Sequence, residues 1–314
     1  MENRFLHEGT VLAVASMNKM EIFYRNRWCF LNELLSKNAF FHFSAEELAD
    51  ILFLLIQQLK TDHQQLRRNE WTEEHWQTWR ELECLHFCGG SMKTVTAVQM
   101  IPLLKHRLKA AQIDVELIVS KYPGQASIVG AGKFLSLMGK EGLLFDFGHT
   151  GIKRGYVEAI GLNEYKIESL DWIESRHVGW DYQEIEEARK LHEYILNVIL
   201  DTLNQHSIEG ELDIFISIAN YVVAGVLIQR GGYGKLALLS DNYQNYLGSE
   251  LKRKTGKEVK VWLCHDTTAA SFEAETLKKT AVISFGTGMG VSFVQQNIQS
   301  SILKNHYIIS EKIT

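Results

Sequence analysis

Two spacings of apolar residues alternate along the chain and predict its secondary structure. Short, almost continuous apolar runs, typical of buried strands, occur in ELECLHF, DVELIVS, LLFDF, ELDIFISI, VKVWLC and TAVISF. In ADILFLLIQQL and EEARKLHEYILNVILDTL, apolar residues instead recur every three or four positions, which predicts amphipathic helices. The first of these helices is expected to begin at Ser44, because in SAEE the serine and Glu47 can satisfy each other's backbone N–H groups.

The order of these elements indicates an α/β fold. The strand-rich stretches TVLAVASM and EIFYRNRWCFL come first and predict a hairpin with its turn at Asn18 and Lys19. Helices and strands then alternate up to residue 140. From Gly142 the predicted order is three strands, then helix, strand, helix, strand and helix, which is the order of a ribonuclease-H-like layer. A last strand pair is predicted in TAVISFGTGMGVSFVQQ.

Charge and composition exclude several classes of function. The 314 residues carry 33 Lys and Arg against 38 Asp and Glu, so no overall basic field exists to bind nucleic acid or an anionic membrane. The apolar run ILFLLI at 51–56 is too short to cross a bilayer, and the first residues do not resemble a secretory signal. The cysteines are scattered, which favours a reducing compartment. We therefore expect a soluble cytoplasmic protein.

Three turns at predicted strand ends carry the candidate chemistry. In DFGHTGIK at 146–153, glycine lets backbone N–H groups approach a phosphate, and Asp146 can hold a hydrated magnesium ion. FGTGMG at 285–290 is a second glycine turn between strands. HDTT at 265–268 places an acid where a strand ends and a helix begins. Taken alone, each glycine turn is as typical of an ordinary hairpin as of a phosphate site. An Asp at the start of a helix is more often an N-cap than a catalyst.

Taken in order, the three patterns resemble the actin-like superfamily of sugar kinases, hexokinases and heat-shock ATPases. Within it, the sequence is most similar to the ROK sugar kinases and the N-acetylglucosamine kinase-like group, over about residues 140–295. The resemblance implies two ribonuclease-H-like (actin-like) lobes with a cleft for nucleotide and substrate between them. It also implies an ATP-dependent phosphotransferase that uses Mg²⁺ and acts on a hydroxyl of a small, sugar-like substrate.

The resemblance also implies a role for individual residues. Asp266 takes the place of the general base, and Lys153 adds positive charge or holds the first hairpin by pairing. Asp146 is expected to hold Mg²⁺, directly or through water. Contacts to nucleotide or phosphate are expected at Asp146, Gly148, His149, Thr150, Lys153, Gly286, Thr287, Gly288, Gly89 and Gly90. Substrate contacts are expected among Asn220, Tyr221, Asp241, Asn242, His265 and Glu273.

Two positions depart from the family pattern. His149 stands where the family usually has glycine, and His265 stands where it usually has asparagine. Two imidazoles would then flank the transferred phosphate, where they could either stabilise charge or obstruct binding. These substitutions motivate a second hypothesis, a catalytically weak regulator that senses a nucleotide or a sugar.

The glycine pair of the family that contacts adenosine follows the G-T-G turn, whereas here Gly89 and Gly90 precede it. This order suggests a circular permutation, with one lobe formed by 1–140 plus 281–314 and the other by 141–280. The permutation predicts neighbouring chain termini. A pantothenate-kinase-like enzyme is a third hypothesis, but it does not explain the upstream glycine pair.

We expect the protein to bind a small, sugar-like molecule and to bind neither nucleic acid nor a membrane. The sequence does not decide whether it forms a homodimer. A DNA-binding repressor of the ROK type is disfavoured, because the first 40 residues are predicted to form strands and the net charge is −5.

Overall fold

The computed structural model describes residues 21–24, 27–30, 43–61, 73–179, 184–206, 210–286 and 288–310. The helices are α1 (Ala45–Thr61), α2 (Glu73–Arg80), α3 (Val95–Ala110), α4 (Ala126–Leu137), α5 (Ile185–Gln205), α6 (Tyr243–Thr255), α7 (Asp266–Ser271) and α8 (Gln296–Ile302). Short 3₁₀ helices lie at Gly90–Lys93 and Gly232–Leu238.

The strands are β1 (Glu21–Tyr24), β2 (Arg27–Phe30), β3 (Cys84–Cys88), β4 (Glu116–Val119), β5 (Gly142–Phe147), β6 (Gly151–Gly161), β7 (Glu164–Glu174), β8 (Leu212–Ile218), β9 (Val222–Val223), β10 (Val226–Leu227), β11 (Val259–His265), β12 (Thr280–Phe285), β13 (Met289–Phe293) and β14 (His306–Ile309). The α/β class expected from the sequence is confirmed.

The start of α1 shows the reciprocal cap that its sequence predicts. The Glu47 N–H donates to the Ser44 hydroxyl at 3.2 Å, and the Ser44 N–H donates to the Glu47 carboxylate at 3.0 Å. At the N-terminal hairpin the structure differs from the prediction, because β1 and β2 both lie within EIFYRNRWCFL. The predicted turn at 18–19 lies outside the described residues.

Contacts divide the chain into two compact units. The first, here called the six-stranded unit, contains the described residues of 127–273 and 301–310. Its sheet has the order β11-β8-β5-β6-β7-β14. Strands β5, β8 and β11 are parallel, and β6 is antiparallel to both β5 and β7. We number β5, β6, β7, β8 and β11 as strands 1 to 5 by their order in the chain and leave out the edge strand β14. Starting from β7, the sheet then has the order 3-2-1-4-5, which is the ribonuclease-H-like order that the sequence predicts.

Both faces of this sheet are covered by side chains from helices. On one face, Phe145 of β5 joins a continuous buried cluster with residues of α5 and α6 that include Leu191, Ile195 and Leu247. On the other face, the ring of Phe134 from α4 lies 5.3 Å from that of Phe215 in β8. Because side chains alternate along a strand, Asp146 points to this second face, opposite to its neighbour Phe145.

Helices α4 and α7 approach each other closely within the six-stranded unit. A Cβ added at Gly130 of α4 would overlap the carbonyl oxygen of Ala269 and lie 2.9 Å from its carbonyl carbon. Only glycine leaves room for this backbone contact. The stretch TTAASFEAETL at 267–277 predicts a longer helix than α7. The helix is shorter because the N–H groups of Phe272 and Glu273 bond three residues back and tighten its last turn.

The second unit, here called the four-stranded unit, contains the described residues of 21–126 and 274–300. Its main sheet has the order β13-β12-β3-β4. Strands β12, β3 and β4 are parallel, and β13 is antiparallel to β12. This sheet therefore has the 2-1-4-5 part of the ribonuclease-H-like order, with strands 4 and 5 encoded before strands 1 and 2. The circular permutation itself stays a prediction.

The unit boundaries differ from the predicted lobe boundaries. Residues 127–140 and 301–310 belong to the six-stranded unit, since α4 packs on its sheet and β14 pairs with β7. Residues 274–280 belong to the four-stranded unit. The sequence placed each of these three segments in the other lobe. The predicted proximity of the termini concerns residues 1–20 and 311–314, which lie outside the described residues. Among the described helices, none has the length and apolar character needed to cross a bilayer.

Candidate functional site

One row of side chains crosses the six-stranded sheet at the carboxyl ends of its parallel strands. In the strand register, Cys264 of β11 lies opposite Ser217 of β8, Ser217 opposite Asp146 of β5, and Asp146 opposite Lys153 of β6. Residues in one row point to the same face of a sheet. The strand pairing thus brings the predicted phosphate residues Asp146 and Lys153 together with a serine that the sequence analysis missed.

The Asp146 carboxylate is buried in a ring of donors. Its Oδ2 accepts from Lys153 Nζ at 2.5 Å and from Ser127 Oγ at 2.6 Å, and its Oδ1 accepts from Ser217 Oγ at 2.9 Å. Burial by itself raises the pKa of Asp146, but the Lys153 ammonium and the two hydroxyls outweigh it and lower the pKa below its usual value. Asp146 is therefore ionised at neutral pH, and Lys153 holds the hairpin by pairing with it.

Removing one of these donors is expected to lower stability in a pH-dependent way. A carboxylate with a lowered folded-state pKa stabilises the protein above its unfolded pKa of about 3.9, and this stabilisation is lost as the pH falls through the folded value. We expect Ser217→Ala to reduce the free energy of unfolding by about 1.5–3 kcal/mol at pH 7, with a smaller difference from wild type below about pH 4.

Urea unfolding at pH 7, 5 and 2 measures this effect, because the lowest pH lies well below the unfolded pKa of about 3.9. Ser249→Ala is the matched control, because Ser249 is exposed on α6 and donates to a helix carbonyl there. A Ser217→Ala deficit that is the same at all three pH values would contradict the role assigned to the ionised Asp146.

The hairpin that joins β5 and β6 is closed by its own backbone. The Gly148 N–H donates to the carbonyl of Gly151 at 3.1 Å. The Gly148 carbonyl accepts from Ser175 Oγ at 2.6 Å and from the Tyr233 hydroxyl at 2.9 Å. Thr150 is exposed at the tip of the turn. In this conformation the N–H of Gly148 closes the turn, and its role in phosphate binding stays a prediction.

Asp266 begins α7 directly after β11. Its side chain is 37% exposed, and Oδ1 accepts from the Thr267 N–H at 2.6 Å. Beside it, Nδ1 of the buried His265 lies 2.5 Å from Thr267 Oγ1 and 3.2 Å from Asp266 Oδ1. The end of the strand and the start of the helix thus fix the direction of the Asp266 carboxylate while leaving part of it accessible.

Both histidines that depart from the family pattern have lowered pKa values. Burial is the main cause for His149 and for His265, and it outweighs the nearby Asp266 carboxylate, which acts in the opposite direction. The Arg230 guanidinium lowers the pKa of both imidazoles further. Both rings are therefore neutral at neutral pH.

Arg230, which the sequence analysis missed, is held beside the predicted substrate residues. Its Nε donates to Asn220 Oδ1 at 2.5 Å, and its guanidinium carbon lies 4.5 Å from the centre of the Tyr221 ring. The Tyr221 ring in turn lies 5.2 Å from that of His265. The sequence signal for this residue is weak: a cation directly before the glycine pair 231–232, between a predicted strand and a predicted helix.

The other predicted substrate residues are not alike in their surroundings. Asn220 is completely buried, and its amide donates to the carbonyl of Ile228 at 3.0 Å. Asn242 is the N-cap of α6, where its Oδ1 accepts from the N–H three residues on at 3.0 Å. Asp241 is exposed, whereas Glu273 is buried after α7. Their contacts to substrate stay predictions.

The glycine turns of the four-stranded unit lie at the ends of adjacent parallel strands. Gly89 has φ +98°, and a Cβ added there would overlap the carbonyl oxygen of Phe285. A Cβ added at Gly90 or at Gly288 would meet nothing within 4 Å. The Gly286 N–H donates to the carbonyl of Gly288 at 3.0 Å, and Thr287 lies outside the described residues. The two predicted nucleotide elements therefore share one edge of this sheet.

Comparisons with solved structures find likenesses that include two distant ones. No protein-family model and no curated protein matches the sequence. The ethanolamine utilization protein EutJ from Carboxydothermus hydrogenoformans is 10% identical, with 79% of this chain and 78% of that one covered and a TM-score of 0.35. The hexokinase from Schistosoma mansoni complexed with glucose is 17% identical, with 57% and 47% covered and a TM-score of 0.37. The match thus spans about half of the hexokinase, and neither likeness bears on activity at these scores.

Proposed function

We propose that the protein is an ATP-dependent kinase of the actin-like superfamily that phosphorylates a hydroxyl group of a small, sugar-like molecule. The observation that carries the proposal is the placement of Asp266, a partly exposed carboxylate at the carboxyl end of a parallel strand. Ligands of open α/β sheets bind at this edge. The ribonuclease-H-like strand order supports the same assignment, because it places the hairpin 146–153 at the edge where β5 ends.

In this mechanism Asp266 acts as the general base. Its carboxylate accepts the proton of the acceptor hydroxyl as the oxygen attacks phosphorus. The Thr267 N–H and the Thr267 hydroxyl hold the carboxylate in place, and the neighbouring His265 imidazole is neutral, so it does not neutralise the carboxylate with a positive charge. A fixed, accessible carboxylate fits this role because a general base must reach the proton without reorganising.

Lys153 and Asp146 have a supporting role in this proposal. Direct coordination of a magnesium ion by Asp146 does not fit, because both its oxygens accept hydrogen bonds and the Lys153 ammonium lies 2.5 Å from one of them. No step is therefore assigned to a metal at Asp146. The pair instead fixes the start of β6 and places the Lys153 cation next to the hairpin.

ATP would supply the phosphoryl group, and the glycine turns of the four-stranded unit fit a nucleotide. The space beside Gly90 and Gly288 would let a ligand approach their backbone closely. Gly89 lets the turn pack closely on the end of β12, because a side chain at this position would overlap the carbonyl group of Phe285. These residues would bind the nucleotide and orient it.

Release of ADP over a panel of acceptors tests the proposal. The panel contains hexoses, N-acetylated hexosamines, sugar acids and pantothenate, with ATP and MgCl₂ present. We expect ADP release that depends on one acceptor class. If nucleotide binds but no acceptor increases ADP release, the kinase proposal is wrong, and the sensing regulator motivated by His149 and His265 is favoured instead.

A further inference from the structure

Arg230 is a partly buried cation whose guanidinium is held by neighbouring residues. Asn220 accepts from its Nε, the Ala219 carbonyl accepts from its Nη2 at 3.5 Å, and the Tyr221 ring lies under the guanidinium at 4.5 Å. Stacking and a bond at Nε fix the plane of the guanidinium, which reduces the side-chain entropy that a ligand-binding arginine would otherwise lose. The arrangement therefore has the pre-organisation of a binding group.

Asn220, which accepts the hydrogen bond from Arg230, is itself held firmly in place. Asn220 is completely buried, and its amide is itself fixed by the carbonyl of Ile228. A buried amide with both ends bonded is a rigid support. Asn220 and Tyr221, which the sequence predicted to line the substrate site, act in the structure as supports for an arginine.

Arg230 also lies near the proposed catalytic carboxylate. The Tyr221 ring that supports it packs on His265, and His265 lies 3.2 Å from Asp266. The charges of Arg230 and Asp266 both act on His149 as well as on His265, in opposite directions. The cation and the carboxylate thus belong to one cluster on the six-stranded unit. This cluster also contains the two neutral imidazoles, whose pKa values both charges affect.

We propose that Arg230 binds an anionic group of the phosphoryl acceptor, so that the acceptor is an acid rather than a neutral sugar. Arginine is suited to this role, because its planar fork matches a carboxylate or a phosphate with two hydrogen bonds. An acceptor that lies against the cluster would meet a fixed cation as well as the proposed base. A molecule that carries both an anionic group and a hydroxyl uses both, since the anion pairs with Arg230 and the hydroxyl gives its proton to Asp266. That the ligand is a phosphoryl acceptor rests on the proposed function. The binding of an anion beside Asp266 does not, because it can be measured without turnover.

Calorimetric binding of matched acid and neutral compounds tests the proposal. The carboxylate pairs are D-glucuronate with D-glucose, D-gluconate with D-glucitol, and pantothenate with panthenol, and glucose 6-phosphate with glucose is the phosphate pair. We expect at least one acid to bind about tenfold or more tightly than its neutral partner, as one charge-assisted contact implies. The arm in which this occurs distinguishes a carboxylate from a phosphate.

Arg230→Gln should remove this preference and leave the Kd of ADP unchanged, and Arg230→Lys should retain only part of it. Arg253→Gln is the control, because Arg253 is an exposed arginine of the same unit that pairs with Glu250. Equal binding of every acid and its partner in wild type overturns the proposal. A preference for the acid that persists in Arg230→Gln also overturns the proposal. An Arg230→Gln variant that loses as much affinity for ADP as for the acid overturns it too, because Arg230 would then bind the nucleotide. Failure of ADP release with intact acid binding would instead reject only the kinase function.

Discussion

Replacing Asp266 by Asn is expected to lower kcat by about a hundredfold or more, with a much smaller change in KM. The substitution keeps the size of the side chain and an oxygen that can accept from the Thr267 N–H, so the start of α7 should persist. What it removes is the group that accepts the proton from the acceptor hydroxyl. Steady-state ADP release with the best acceptor of the panel measures the effect.

Asp201→Asn is the matched control for this experiment. Asp201 is an exposed aspartate on α5 of the same unit, and the same substitution there should leave kcat within about twofold, since surface changes away from a site have small effects. Circular dichroism of both variants checks that the fold is retained. An Asp266→Asn variant that keeps wild-type turnover would show that another group takes the proton.

Replacing Gly89 by Ala is expected to destabilise the four-stranded unit by at least about 3 kcal/mol. Two causes contribute to this loss of stability. The first is the backbone of Gly89, which has φ 98° and ψ 158° and so lies in a region that only glycine adopts readily. In addition, the new Cβ would overlap the carbonyl of Phe285, a backbone atom that cannot move aside without disturbing β12. We expect the Tm to fall by about 6–12 °C.

Gly90→Ala provides the comparison one residue further on. A Cβ at Gly90 meets nothing within 4 Å, so its stability should stay within about 1 kcal/mol of wild type. If the two variants have the same Tm, the close contact between the Gly89 turn and the end of β12 is not present in solution. In the proposed kinase, Gly90→Ala should still weaken ADP binding, because its methyl group would occupy the space assigned to the nucleotide.

The sequence predicted the class of fold and most of its elements because these depend on local spacing. Apolar runs such as LLFDF and ELDIFISI identify strands wherever they lie in the chain, and the SAEE cap marks the start of α1. The two-residue strands β9 and β10 were missed, since two residues carry no periodic signal, and the edge strand β14 was missed as well. The candidate residues Asp146 and Asp266 were found because each lies within or directly after the end of an apolar strand.

The surroundings of those residues could not be predicted, because they depend on register and on distant segments. Strand pairing alone decides that Ser217 and Lys153 flank Asp146, and a shift of one residue would turn each of them to the other face. In the same way, only folding brings Arg230 onto Tyr221 and next to His265.

By itself, the sequence determined an α/β protein, the order of its strands and the positions of two candidate carboxylates, since spacing and turn chemistry are local properties of the chain. The tertiary structure decided that Asp146 is closed in by donors while Asp266 stays partly exposed, because burial and hydrogen bonding arise between residues far apart in sequence. It also decided that a fixed arginine lies beside the candidate base, since Arg230 takes its place only through contacts with Asn220 and Tyr221.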